Sequence, residues 1–328
     1  CMHSRRIPMT PAVFEAQLQH KAFSDGTADR PRVTAMYRSE FEARFGAIEE
    51  LDYERCGWGD AQAASVANLL TQVSVPRLQR LSFLRNCLGD EGACAIAAAL
   101  PAAQRLSELY LGFNSIGHRG ATALAAATPL MPYLTGLYLD SNIIGDGGAS
   151  AIASAMGAMP QLHALWLGHN CVGDAGAISL ARALPSCPTL AELYLGMNHV
   201  GDAGASALAA ALQDTPNLIK LYLCSNSVGD AGASAFASVL REAHGPEELF
   251  LGRNLIGDAG VLALARAMQL LSRGESCPLG EGEGDRKREC APPKRLKLLR
   301  IEHNSFGEEA GQALLAACDL HQIRLMLR

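Results

Sequence analysis

The sequence predicts an α/β repeat protein, and three observations carry that prediction. One asparagine phase runs through the chain: Asn86, Asn114, Asn142, Asn170, Asn198, Asn226 and Asn254 recur every 28 residues. Asn304 resumes the phase 50 residues later, one period plus an insertion of 22. Before each asparagine, apolar residues alternate, as Leu193 and Leu195 do before Asn198, which suits a strand with one buried face. After it comes a run such as Gly201 to Leu212, whose apolar residues recur at helical spacing. Cys56 holds the same slot 30 residues before Asn86, so nine strand–helix units are expected.

The elements follow in order. Residues 1–47 lack the repeat and are expected to form an N-terminal arm and a helical cap. Phe14, Leu18, Phe41 and Phe45 stand at spacings of amphipathic helices, with Thr10 and Pro11 as a helix start. Residues 48–328 are expected to form the repeat domain. In seven of the units an aspartate follows the first glycine of the helical half: Asp60, Asp90, Asp146, Asp174, Asp202, Asp230 and Asp258; His118 takes that slot in the unit of Asn114. A short carboxylate there is expected to cap its own helix by accepting a bond from the first free amides. Flanking glycines permit the positive backbone angles of a tight strand-to-helix turn. At about 271–295 the stretch rich in Gly, Pro and mixed charge cannot bury a core, and reads as a flexible insertion. Asp319 to Arg328 is expected to close the last unit, with Leu325 and Leu327 as cap residues.

The unit L-x-x-L-x-L-x-x-N, seen at Leu190, Leu193, Leu195 and Asn198, resembles the leucine-rich repeat of the ribonuclease-inhibitor type. That repeat also occurs in the sensor portions of NOD-like receptors and in the Ran GTPase-activating protein. The resemblance spans roughly Ile48 to Ala317 and implies a horseshoe solenoid, with a concave parallel β-sheet inside and helices on the convex side. Elementary packing agrees. Strands pack about 4.8 Å apart and helices about 8–10 Å apart, so the stack must bend with the sheet inside. The asparagine ladder, Asn304 included, is expected to turn inward and satisfy backbone groups of the turn, a structural role rather than a ligand set.

Composition excludes several function classes. A net charge of −5 over 328 residues argues against general nucleic-acid binding. Gly147 to Gly173 carries no Asp, Glu, Lys or Arg, but Pro160 and a unit junction interrupt it, so no membrane span is expected. The ten cysteines scatter over several phases without metal-ligand spacing, which predicts thiols in a reducing, cytoplasmic setting and no metal. No phosphate loop, HExxH or GxSxG motif is present, so neither a cofactor nor catalysis is expected. The basic tilt of Arg5, Arg6, Lys21, Arg30 and Arg32 leaves organelle targeting open.

Function is then expected on the concave face, from the residues between the core leucines. Four residues before the asparagine stand Tyr110, Tyr138, Trp166, Tyr194, Tyr222 and Phe250, six aromatics in successive units. Small residues two places before it, Gly112, Gly168, Gly196 and Gly252 among them, are expected to leave the ring faces accessible as a trough. Glu108, Asp140, Glu192, Lys220, Arg253 and Glu302 would tune partner choice. This predicts a non-catalytic protein-binding scaffold, with a subunit role in a larger assembly as one form of it. The competing reading is that the rings merely stabilise one another across the sheet. Two other functions are carried by the resemblance. One is a small-GTPase regulator working through Arg119, in the aberrant turn Gly117 to Gly120, or through Arg85. The other is the sensor portion of a NOD-like receptor. The N-terminal arm and the insertion are further candidate contacts.

Overall fold

A three-residue strand has too little surface to stand alone, so each unit must find its partners in the units beside it. In the computed structural model, which describes residues 9–18, 29–241, 245–271 and 296–327, it does so throughout. Two helices come first, α1 (Pro11–Leu18) and α2 (Asp29–Gly46). Then strand and helix alternate: β1 (Glu50–Asp52), α3 (Asp60–Gln72), β2 (Arg80–Ser82), α4 (Asp90–Ala99), β3 (Glu108–Tyr110), α5 (His118–Ala127), β4 (Gly136–Tyr138) and α6 (Gly145–Met156). The series continues with β5 (Ala164–Trp166), α7 (Asp174–Ala183), β6 (Glu192–Tyr194), α8 (Asp202–Ala211), β7 (Lys220–Tyr222), α9 (Asp230–Arg241), β8 (Glu248–Phe250) and α10 (Asp258–Leu271). It closes with β9 (Leu298–Arg300), α11 (Glu308–Leu320) and β10 (Arg324–Met326). The ten strands of the described residues form one parallel sheet in chain order, an open solenoid of strand–helix units as the sequence predicts. The tenth strand lies in the closing segment, where the sequence signals only an end. Its Leu325 pairs with Leu299, and Leu325 and Leu327 are half-buried against the last unit.

Register is uniform: the central leucine of each strand pairs with the central leucine of the next, Leu109 with Leu137 and Leu193 with Leu221. From Leu81 to Leu299 these leucines are wholly buried, whereas their neighbours on the strand face the concave side. The insertion does not break the ladder, since β8 pairs directly with β9. The insertion itself, the chain start and Lys21 lie outside the described residues. At the N-terminal end Phe41 and Phe45 of α2 are buried in the same core, and Phe14 of α1 stacks on Tyr37 at 3.9 Å. Among the described residues no helix is long and apolar enough to cross a membrane; the uncharged stretch from Gly147 is divided between α6, a turn and β5.

The asparagines couple each unit to the one before it. Asn198 Oδ1 accepts the amides of Asn170 and Val172, each at 2.9 Å, and its Nδ2 donates to the carbonyls of Leu167 and Leu195, each at 2.9 Å. Asn86, Asn114, Asn142, Asn170, Asn226, Asn254 and Asn304 likewise accept an amide of the preceding unit and donate to one of its carbonyls. The first unit has no preceding one to join, so Cys56 can stand in the slot.

The aspartates correct the sequence expectation. Gly201, not Asp202, is the N-cap of α8, and Asp202 is the first helical residue. Its carboxylate serves the next unit, accepting the amides of Gly229 at 2.7 Å and Gly232 at 2.8 Å. Asp60, Asp90, Asp146, Asp174 and Asp230 each cap the following helix in the same way, and Asp258 holds the Gly307 amide at 2.6 Å. The capping glycines permit that approach. A Cβ on Gly204 would fall 2.8 Å from Asp174 Oδ1. The first helix of the repeat, α3, receives no carboxylate from a neighbour, and Gln62 Oε1 accepts the Gly59 amide from within it instead, at 3.0 Å.

Two substitutions test this coupling. Asn198→Ala leaves several buried backbone groups unpaired and is expected to cost about 3 kcal/mol in urea unfolding. Asp202→Ala is expected to cost about 1–2 kcal/mol, with lost amide protection appearing at Gly229 and Gly232 rather than at the start of α8. Protection lost in α8 itself would contradict capping between units.

Candidate functional site

Because the strands are in register, side chains four residues before each asparagine must stand one above the next. Strand spacing is about 4.8 Å, close to the separation at which rings stack. Tyr110 and Tyr138 stack at 4.3 Å, Tyr194 and Tyr222 at 3.8 Å, and Tyr222 and Phe250 at 3.8 Å. Trp166 joins the two groups, edge-on to Tyr138 at 5.0 Å and tilted against Tyr194 at 4.4 Å. Both ends are covered: the Arg80 guanidinium lies 5.5 Å from the Tyr110 ring and that of Arg300 5.7 Å from Phe250. The expected trough of accessible ring faces is therefore not formed. The faces are spent on one another, and the half-buried Tyr110, Tyr138, Trp166, Tyr194 and Tyr222 offer edges and polar tips instead. Phe250 is buried. The Trp166 indole Nε1 is buried without an acceptor.

Six residues before the asparagine runs a border of charge. Arg80 contacts Glu50 at 3.6 Å and Glu108 at 2.7 Å, and Lys220 contacts Glu192 at 2.9 Å. Between the two groups the border is interrupted by Gly136 and Ala164. A groove of about 640 Å3 opens there, lined by Glu108, Tyr138, Ala164, Thr135, His163 and Asn217 among others. The polar residues at the strand entries, Thr135, His163 and Asn217, are absent from the sequence-derived site. Their only signal is the pair of small residues, Gly136 and Ala164, in an otherwise charged column.

The column two residues before the asparagine is less empty than its glycines suggest. A Cβ on Gly112 would fall 2.8 Å from Asp140 Oδ1, so the Asp140 carboxylate occupies the space that glycine leaves. Burial raises the Asp140 carboxyl above the ordinary carboxylate range. Glu302 fills the space beside Gly252 and holds Arg300 at 2.6 Å. Arg253 stands apart from this column. It lies exposed just beyond β8, at φ 56°, in the left-handed conformation shared by Arg85, Phe113, His169 and Met197 in the same slot. That conformation turns a row of side chains onto the rim of the sheet.

The two arginines considered for GTPase chemistry are both engaged. Arg119 lies in the first turn of α5 and pairs with Glu91 at 2.5 Å, while the Arg85 guanidinium sits 4.6 Å from the centre of the Phe113 ring. Among the described residues, no group of three or more His, Cys, Asp or Glu is placed to hold a metal ion.

Five segments, 104–125, 131–153, 159–181, 186–209 and 216–237, match the family model described as Leucine Rich repeat. No curated protein matches the chain.

The stack sets an alkaline limit. Burial, above all, raises the phenols of Tyr110, Tyr138 and Tyr194 above the ordinary value of about 10. The folded state thus holds these protons more tightly than the unfolded chain. Their contribution to stability is whole below about pH 10 and is lost as pH rises beyond it. Tyrosinate absorbance is expected to show these phenols ionising late, together with loss of the fold. Ionisation of all seven tyrosines near the ordinary value in an intact fold would contradict the stack.

Proposed function

From the premise that the chain is a leucine-rich repeat protein, we propose that it is a scaffold which binds a protein partner through its concave face. Leucine-rich repeats in general mediate protein–protein interaction, and the observation that carries the reading here is the in-register concave ladder. Its stacked rings form a rigid floor, so little side-chain entropy is lost when a partner covers it. Tyrosine edges supply apolar contact and hydroxyls together, the mixture found at the centre of interfaces. Glu108, Glu192, Lys220, Asp140 and Glu302 surround that floor with charge, and Arg253 on the rim extends it, which supports selection by electrostatic fit. The 28-residue period supports assignment to the ribonuclease-inhibitor type. The seven described cysteines are free thiols, which fits a reducing, cytoplasmic setting.

The floor is also part of the fold, so truncating the rings would confound binding with stability. Tyr110→Phe/Tyr138→Phe/Tyr194→Phe/Tyr222→Phe keeps the stack and removes only the hydroxyls. Quantitative affinity capture is expected to lose the specific partner by about fivefold or more, since an interfacial hydrogen bond is worth roughly 1 kcal/mol. Unchanged capture by the folded variant would move the interface off the concave face.

A further inference from the structure

Three interruptions coincide at the groove beside Tyr138. The first is in the border of charge. Glu50, Arg80 and Glu108 form one group, and Glu192, Lys220 and Glu248 another. Each sets two carboxylates against one cation, so a net negative charge stands on either side of the neutral pair Gly136 and Ala164. Glu108 lines the groove and Glu192 flanks it, paired across the sheet with Ala164; their side chains are only 27% and 22% exposed, so water screens them less than it would at an open surface. The second interruption is in the ring ladder. Tyr138 meets Trp166 at 86°, the only edge-on joint in the row. Gly136 lies beneath this joint: a Cβ there would fall 2.6 Å from Tyr138 Cε2, so the ring occupies the space that glycine leaves. The third is the groove itself, of about 640 Å3, with Glu108, Tyr138 and Ala164 in its lining.

We infer that this groove receives basic side chains, arginine or lysine, from an extended segment of a partner polypeptide lying across the strands. The inference rests on the concave-face reading above and names the chemistry of the partner. Glu108 and Glu192 are three strand steps apart, about 14 Å. A single cation cannot bond both carboxylates across that distance. Two residues at i and i+2 of an extended chain lie about 6.8 Å apart, which leaves each cation within direct reach of one carboxylate. Such a segment sets one cation beside each of these carboxylates, on the side away from Arg80 and Lys220. Tyr138 stands between the two carboxylates. Burial above all raises its phenol; the hydrogen bond with Tyr110 and the charge of Arg80 oppose that rise, and the charges of Glu108 and Glu192 add to it.

The chain carries two tryptophans, of which Trp166 packs edge-on against Tyr138 of the groove lining and Trp58 is buried at the far end beside Tyr53. Their indole N–H resonances are therefore a reporter and an internal control. The probe is the capped peptide Ser-Gly-Arg-Gly-Arg-Gly-Ser, compared with the same peptide carrying neutral citrulline at both arginines. The arginine peptide is expected to shift the Trp166 signal saturably and leave Trp58 unmoved. The citrulline peptide is expected to shift neither, and Glu108→Gln/Glu192→Gln to weaken binding about tenfold or more. Equal response to citrulline, an unchanged response in the double variant, or equal movement of both tryptophans overturns the inference. So does a Trp166 shift on concentrating the protein alone, which gives the groove to a second copy of this chain. If the peptide fails while the tyrosine-to-phenylalanine variant still loses its captured partner, the concave interface stands and only the basic occupant is wrong. If neither has any effect, both readings fall.

Discussion

The constraint on which the rest of the structure depends is that no unit can satisfy its own backbone. A turn built from a three-residue strand and a tight entry into a helix leaves buried amides and carbonyls that the unit has no means of pairing, and an unpaired buried group is costly. The asparagine sends its amide back to the preceding unit, and the aspartate sends its carboxylate forward to the next. Each junction is therefore fastened twice, in opposite senses. Folding becomes a property of the stack, and the ends must use other devices: Cys56 in the asparagine slot, Gln62 as an internal cap, and a tenth strand at the close.

One interior unit departs from this scheme and shows what the aspartate does. His118 replaces it, so the following helix, α6, receives no carboxylate. There Gly145 adopts φ +63°, its amide turns to the Asn170 carbonyl at 2.8 Å, and the residue before the helix is Ile144 in a helical conformation. Elsewhere the same position is a glycine in extended conformation, as at Gly89 and Gly201. A single side chain in one unit thus resets the backbone of the next.

The uniform register fixed by those junctions also governs the concave face. It brings rings to stacking distance and so turns a row of exposed aromatics into a semi-buried floor. Where the row turns edge-on, small residues stand at the same place: the Tyr138 ring occupies the space over Gly136, and Gly136 with Ala164 interrupts the border of charge. The groove is thus a local failure of the repeat, and specificity in a repeat protein has to come from such departures, because the regular parts are alike in every unit.

The sequence by itself determined the number and phase of the units, the parallel order of the strands and the burial of their central leucines. All of these follow from periodicity, which is visible one residue at a time. It also placed Tyr110 to Phe250 in one column, and Glu108, Glu192 and Lys220 in another. Only the tertiary structure decided what the side chains of a column do to one another. Asp202 capping the helix after its own, ring faces closed by stacking, Arg119 held by Glu91, and Asp140 filling the space over Gly112 are all contacts between units. Such contacts depend on a rise of a few ångströms per unit and on rotamers chosen in the presence of neighbours. The repeat pattern carries no record of either.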